Sequence, residues 1–174
     1  MRLFRSLMLL LTLVAPAAFA DGSYQVEMIL FRQNGEPPAT RQFAPEDWDA
    51  GAPRVGPENE RSPTMNDVAS RLQDSGDYQV LLQRAWRQTL GEQPSAMAVT
   101  GGEERLGHFP IEGTISIALA RFTDIAADFW VNQLDAHGVL AGSERMKQTV
   151  RVRNGELTYL DNGSLALLVR ISPL

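Results

Sequence analysis

The sequence predicts a single α+β domain, a mostly antiparallel sheet with one or two helices packed on one face and long loops rich in proline and glycine. Three observations lead to this fold class. Several stretches alternate apolar and polar residues as strands do, and one stretch has the apolar spacing of a helix. Without its first 20 residues, the chain of 174 keeps 154, a usual length for one domain with its own core.

Residues 1–20 have the three parts of a cleaved secretory signal peptide. Two arginines precede a short apolar run, and Ala18-Phe19-Ala20 ends the segment with small residues around a cleavage position. The apolar run is shorter than the roughly 20 residues that cross a bilayer, and an uncleaved anchor is the alternative interpretation. We therefore expect cleavage after Ala20, and an exported domain over residues 21–174 with no membrane anchor.

Charge and cysteine content narrow the classes of function. The chain has a net charge of −5, and its first 20 residues hold two arginines and no acid, so the remainder carries −7. A domain this acidic is a poor general binder of nucleic acid. The chain has no cysteine, which excludes disulfide bonds and thiol catalysis. Its stability must therefore come from packing.

Alternation predicts strands in four parts of the chain. The first three are Tyr24–Phe31, Tyr78–Leu90 and Ile111–Phe122. The fourth is a C-terminal block, residues 145–171, in which Asn-Gly pairs stand at 154–155 and at 162–163. Asn-Gly between alternating runs is a strong hairpin signal, because both residues accept positive φ. The block is therefore predicted to be a meander.

One helix is predicted after Ser62-Pro63, which would supply its N-cap and first residue. Its apolar residues follow at helical spacing, and Gly76 is placed to end it. Residues 124–134 fit a second helix and a strand equally well. Residues 35–63 and 91–110, rich in proline or glycine, are predicted to be long loops.

The residues of a recognisable catalytic or metal site are missing. The two histidines, His108 and His137, lack the spacing of a metal-ligand pair, and we expect both to be surface residues without metal or cofactor. No nucleophile motif and no phosphate-binding loop is present. A hydrolase remains an alternative, for which His108 near Glu103 and Glu104 would be the candidate.

Basic residues concentrate near the C-terminus. Arg145, Lys147, Arg151 and Arg153 have the same parity, so a strand would turn all four to one face. Four positive charges without an acid indicate a site for anionic groups, and arginine suits carboxylates because its planar fork binds both oxygens. A solvated strand face or an edge protected by charge is the alternative.

A ligand surface is predicted from these residues together with three others. We expect Arg121, Arg151 and Arg153 to converge, with Trp86 and Tyr159 close by. Trp86 between two arginines would stack on a sugar, and packing in the core is the alternative for this side chain. Arg121 interrupts an apolar row, so it would either bind an anion or form an internal salt bridge with Asp161 or Glu156.

Several segments, taken in order, resemble the CsiV family of periplasmic peptidoglycan-binding proteins. Five segments carry the likeness. They are the opening strand at 24–31, the Trp-Arg-Gln strand at 78–88, the central strand with its Arg-Phe at 112–122, the Glu-Leu-x-Tyr-Leu-Asp turn at 155–161 and the last strand at 167–173. The family pattern has histidine where this chain has Gln83, Thr123 and Thr158, and His-Pro in place of Asn162-Gly163. At these positions the chain departs from the family pattern, so the resemblance does not carry the roles of those histidines over to it.

The resemblance implies a function without catalysis. It implies a periplasmic protein that binds peptidoglycan and supports cell-wall synthesis, acting with a class A penicillin-binding protein and its outer-membrane lipoprotein activator. Peptidoglycan stem peptides are rich in carboxylates, which agrees with the basic face predicted from the residues alone. The alternatives are an adaptor that binds only protein partners and the hydrolase considered above.

Overall fold

The computed structural model describes residues 21–35 and 42–174, which form eight strands and one helix in the order β1, α1, β2 to β8. The predicted signal peptide, residues 1–20, lies outside the described residues. The bounds are Gly22–Gln33 for β1, Asn66–Asp74 for α1, Tyr78–Leu90 for β2, Ser95–Gly101 for β3, Ile111–Leu119 for β4, Thr123–Leu134 for β5, Leu140–Val152 for β6, Thr158–Asp161 for β7 and Leu165–Pro173 for β8.

The strands form two antiparallel sheets of four strands each. The first sheet has the order β2-β1-β8-β7 and the second the order β3-β4-β5-β6. Their inner faces pack together around the main core, to which residues such as Met28, Trp86, Ile115, Phe129 and Val169 contribute from both sheets. The predicted antiparallel architecture with a helix is confirmed. The single sheet of the prediction is instead a sandwich of two, with the helix outside it.

The helix packs on the outer face of the first sheet. Ile29 and Phe31 of β1 pack there with Met65 and the apolar side of α1. The N-cap is Met65 and not Ser62, which corrects the predicted start. The end agrees better with the sequence, because Gly76 has φ of +78° directly after the C-cap residue.

The segment between β1 and α1 covers the second sheet and then two strand edges. Ala44 and Trp48 pack on Ala98 and Trp130, on the outer face of the second sheet. The chain then hydrogen-bonds along β3, where Val55 N donates to Ala98 O at 2.8 Å, and along β2, where Arg61 N donates to Ala85 O at 2.8 Å. The outer strands on this side therefore have backbone partners.

Two elements decide points that the sequence left open or misassigned. Residues 123–134 form strand β5, so the second helix is not formed. Strand β3 lies inside the predicted loop 91–110, which is thus partly wrong. Its alternation is hard to read because the outward residues beside Met97 and Val99 are alanines and not polar residues. Proline and glycine also flank the strand.

The C-terminal block is a meander only in part. The Asn162-Gly163 turn joins β7 and β8 as a hairpin, as predicted. The turn at Asn154-Gly155 instead carries the chain from one sheet to the other, since β6 pairs with β5 and β7 pairs with β8. A turn dipeptide specifies a reversal of direction but not the sheet that the next strand joins.

Candidate functional site

The basic residues of β6 share a face, as their parity predicts. Arg145, Lys147 and Arg151 lie on the outer face of the second sheet, while Met146 and Val150 pack into the core. Arg153 follows the end of the strand and is exposed. The shared face predicted from the sequence is therefore the one on which the basic residues of β6 lie.

Acids on the neighbouring strand neutralise part of this face. Asp128 accepts hydrogen bonds from Arg145 at 2.8 and 2.7 Å and lies 3.5 Å from the Lys147 ammonium. Asp124 binds Arg151 in the same two-pronged manner, at 2.6 and 2.8 Å. The hydrogen bond from Arg151 lowers the pKa of Asp124 and raises that of Arg151. These pairs depend on the register of β5 against β6, which the sequence does not reveal.

The turn between β4 and β5 brings Arg121 to the end of β6. Asn154 holds this arrangement: its side-chain amide donates to Ala120 O at 2.9 Å, and its oxygen accepts from Thr123 Oγ1 at 2.8 Å. Arg121 and Arg153 are both exposed, and in the described part of the chain neither forms an ion pair with an acid. The internal salt bridge considered for Arg121 is therefore not formed.

Phe122 is a member of this surface that the sequence prediction missed. Its ring is 41% exposed, and the Arg121 guanidinium lies over it at 5.7 Å from the ring centroid. We name Arg121, Phe122, Arg151 and Arg153 the arginine end. An aromatic residue at a turn, directly after an arginine and beyond the last apolar position of the strand, is the signal that identifies it.

Trp86 does not belong to the arginine end. The side chain is 0% exposed in the main core, and its indole N–H donates to Gln88 Oε1 at 2.9 Å. Gln88 in turn donates to Ser95 O at 2.8 Å. The structure thus shows the alternative that the sequence allowed, core packing. A sugar cannot stack on this ring while the sandwich is closed.

Tyr159 lies on a different face. Its ring is 51% exposed on the outer face of the first sheet, 6.4 Å from the ring of Phe31. Its hydroxyl donates to Asp161 at 2.8 Å, and burial together with that carboxylate raises the pKa of Tyr159 to about 12. Of the five predicted site residues, the three arginines come together, while Trp86 and Tyr159 lie apart from them.

A buried carboxylate fastens the helix to the first sheet. Glu27 of β1 is 1% exposed and accepts hydrogen bonds from the backbone N–H groups of Thr64 and Met65, the latter at 2.7 Å. Gln83 and Arg170 also donate to it, at 3.1 and 3.3 Å. Burial alone would raise the pKa of Glu27, but these hydrogen bonds outweigh it and lower the pKa from its ordinary value.

A second buried carboxylate holds His108. Glu112 is fully buried and accepts from Phe109 N at 2.8 Å and Asn132 Nδ2 at 2.7 Å, while His108 Nδ1 lies 2.7 Å from it. The His108 side chain is only 12% exposed, so the expectation of an ordinary surface histidine is wrong for it. Its partner is Glu112, not Glu103 or Glu104.

Gln83, Thr123 and Thr158 have structural contacts in this fold. Gln83 donates to Glu27, Thr123 donates to Asn154, and Thr158 is buried in β7. Among residues 21–35 and 42–174, no group of three or more acidic or histidine side chains is placed to hold a metal ion. No helix within those ranges is long and apolar enough to cross a membrane.

Comparison with known proteins identifies the family. No curated protein and no solved structure matches the chain. The family model described as "Peptidoglycan-binding protein, CsiV" matches residues 3–174, which confirms the resemblance drawn from the sequence. Because this match spans almost the whole sequence, the chain belongs to the CsiV family of peptidoglycan-binding proteins.

Proposed function

We propose that this protein binds peptidoglycan without altering it chemically, and that the arginine end is the binding surface. The observation that carries the proposal is the convergence of Arg121 and Arg153 beside Phe122, with no acid paired to either arginine in the described residues. Arg151, the third arginine of this surface, is instead paired with Asp124, and the other cations of β6 are paired with Asp128. The unpaired guanidinium groups are therefore available to an external anion.

The chemistry of the surface suits peptidoglycan. A guanidinium binds both oxygens of a carboxylate, and stem peptides carry several carboxylates. The exposed ring of Phe122 offers an apolar face against which a sugar ring or a peptide side chain can pack. Binding then needs no bond cleavage, in line with the description of the family as peptidoglycan-binding proteins.

The wider role belongs to the same proposal. We place the protein in the periplasm, where it would support cell-wall synthesis together with a class A penicillin-binding protein and its outer-membrane lipoprotein activator. The signal-peptide features of residues 1–20 and membership of the family support this role. The peptidoglycan-binding surface would hold the protein at the site of synthesis.

A pull-down with purified sacculi tests the binding surface. Arg121→Ala and Arg153→Ala should each weaken retention by about 1–2 kcal/mol, roughly 5–30-fold, because each removes a charged hydrogen-bond donor. Retention of the wild type should fall as salt rises. Arg71→Ala, which removes an exposed arginine from α1 on the outside of the other sheet, is the matched control and should bind as the wild type does.

The same experiment separates the alternatives. If the charge-swapped pair Arg121→Glu with Arg153→Glu folds normally and is retained as well as the wild type, the arginine end is not the site. If the wild type itself stays in the supernatant, the protein is an adaptor for protein partners only. Steady release of muropeptides from the sacculi would instead make it a hydrolase, with His108 beside Glu112 as the first residue to change.

A further inference from the structure

The first half of strand β6 has backbone partners on the side away from β5. Gln42 N donates to Ser143 O at 3.1 Å, and Asn162 Nδ2 donates to Arg145 O at 2.8 Å. Strand β5 pairs with the other side of β6. These two contacts therefore show which residues of β6 turn their backbone groups to the outer edge of the second sheet.

The second half of β6 is an open edge. Backbone groups on one side of a strand recur at every second residue, so the N–H and C=O groups of three more residues point away from β5. They are Lys147, Thr149 and Arg151, which we call the β6 edge. No hydrogen bond reaches these backbone groups on that side from any other residue that the structure describes. The β6 edge can therefore pair with one more strand.

The inward side chains at the β6 edge are incompletely covered. Val150 and Val152 pack against the main core but remain partly exposed. A further strand with apolar residues on its inward side would cover them, and burial of apolar surface stabilises such a contact. The side chains at this edge thus fit an added strand, as the backbone does.

The charge around the β6 edge is opposite to that of the whole protein. The basic residues at 145, 147, 151 and 153 lie beside two acids of β5, at 124 and 128, which leaves 4 − 2 = +2. The chain without its first 20 residues carries −7. The side chains of Lys147 and Arg151 are 66% and 68% exposed, and their acids lie on the side of β5, away from the edge. An acidic strand therefore complements the β6 edge.

The same charges exclude a second copy of this chain as the added strand. An antiparallel pair of β6 edges centred on Thr149 would set Lys147 of each copy opposite Arg151 of the other. Like charges directly opposite each other destabilise a pair of strands. Basic residues thus protect this edge against its own copies, while a strand with acids at the matching positions is attracted by them.

We propose that the β6 edge binds an acidic, extended segment of a partner protein, which joins the second sheet as an additional strand. Two acids of that segment lie opposite Lys147 and Arg151, so three residues separate them. The apolar residues between these acids cover Val150. The proposal goes beyond the proposed function, because it adds a surface for a protein partner that adjoins the arginine end at Arg151.

An NMR titration of the purified protein with a short peptide tests the proposal. The probe is a capped peptide with two glutamates separated by valine, threonine and valine. It should shift the amide signals of residues 147–151 on binding. The same peptide with lysine in place of both glutamates should bind at least about tenfold more weakly. Equal binding of the two peptides, or no shift at residues 147–151 at about 1 mM peptide, would overturn the proposal.

Two methylated forms of the acidic peptide separate strand addition from simple attraction between charges. Each carries N-methyl groups on alternate residues, so one form lacks the N–H groups that face β6 and the other lacks those that face solvent. The first form should bind at least about tenfold more weakly than the parent peptide, and the second should bind much as the parent does. If both forms bind as tightly as the parent, no strand is added.

Thr149→Pro tests the edge from the side of the protein. The Thr149 N–H points away from β5, so proline there removes no hydrogen bond between β5 and β6. This variant should bind the acidic peptide about tenfold more weakly. The matched control is Thr149→Ala, which keeps the N–H group and should bind as the wild type does.

Normal binding of the peptide by folded Thr149→Pro would contradict the proposal. If proline prevents folding, the two methylated peptides decide the question with the wild-type protein. Both variants at Thr149 should keep the wild-type retention on sacculi, since Thr149 is not part of the arginine end. Failure of the β6 edge would therefore leave the proposed function standing, and loss of sacculus binding would leave the β6 edge standing.

Discussion

At the scale of single residues, Glu27 shows how a side chain on one element can complete another. The helix N-cap, Met65, has no side chain that can accept a hydrogen bond. Glu27, on a strand 38 positions earlier, accepts from the N–H groups of Thr64 and Met65 instead. A cap supplied by a distant strand cannot be seen in the local sequence. For this reason the helix start predicted at Ser62-Pro63 differs from the observed one.

Replacing Glu27 by glutamine should reduce the free energy of unfolding by about 1–3 kcal/mol at neutral pH. The pKa of Glu27 is lowered in the folded state, so its stabilising effect is complete above the ordinary value of 4.5 and is lost as the pH falls below it. Urea unfolding at about pH 7 and about pH 3 measures this.

The difference in the free energy of unfolding between wild type and Glu27→Gln should be smaller at about pH 3 than at about pH 7. Glu103→Gln, which changes an exposed acid, is the control with little effect at either pH. If this difference is as large at acidic pH as at neutral pH, the charge of the Glu27 carboxylate is not the source of its stabilising effect.

At the scale of elements, Gly113 fixes how closely β4 and β5 approach. It lies in the interior of β4, opposite Phe129. A Cβ at this position would come within 2.4 Å of Asp128 O and 2.6 Å of a ring atom of Phe129. The aromatic ring thus covers the glycine, an arrangement that compensates for the missing side chain in a strand.

Gly113→Ala should destabilise the protein by about 1–3 kcal/mol, because the added methyl group forces the strands apart. The change in melting temperature measures it, with Gly142→Ala in β6 as the control, since the nearest atom there is 3.9 Å away. Equal melting temperatures for the two variants would contradict this account of the β4–β5 contact.

Much of the element order was predictable from the sequence, as were the three arginines of the arginine end, but their ion pairs and the places of the aromatic side chains were not. Strands β1, β2 and β4 were predicted because alternation is visible wherever one face is buried and the other solvated. The pairs of Asp124 and Asp128 with their cations needed the register of β5, which no local pattern contains. Trp86 is buried and Phe122 is exposed because the packing of the two sheets decides the burial of an aromatic side chain, and the sequence does not show that packing.

At the scale of the whole molecule, the first sheet is made from the two ends of the chain. Strand β1 lies between β2 and β8, and the last strand supplies Leu167, Val169 and Ile171 to the main core. The second sheet, in contrast, follows the chain order from β3 to β6. Paired strands of the first sheet can therefore lie far apart in the sequence, whereas paired strands of the second sheet follow one another.

A chain truncated after Ser164 should not reach the native state. It would lack the strand that pairs with both β1 and β7, and with it the apolar side chains of β8 that fill the main core. Limited proteolysis should cut the truncated protein within residues 22–33 at low protease, while the full chain resists. Protection of those residues in the truncated protein would show that β1 and β2 are stable as a pair.

The central position of β1 also has a consequence for biosynthesis. The ribosome makes this strand first, yet one of its two neighbours is made last, more than 130 residues later. Throughout elongation, the strand therefore has an unpaired edge and cannot be locked into a finished sheet. Late closure of this sheet would suit the export proposed above, because passage through a narrow protein-conducting channel requires a chain that has not yet folded.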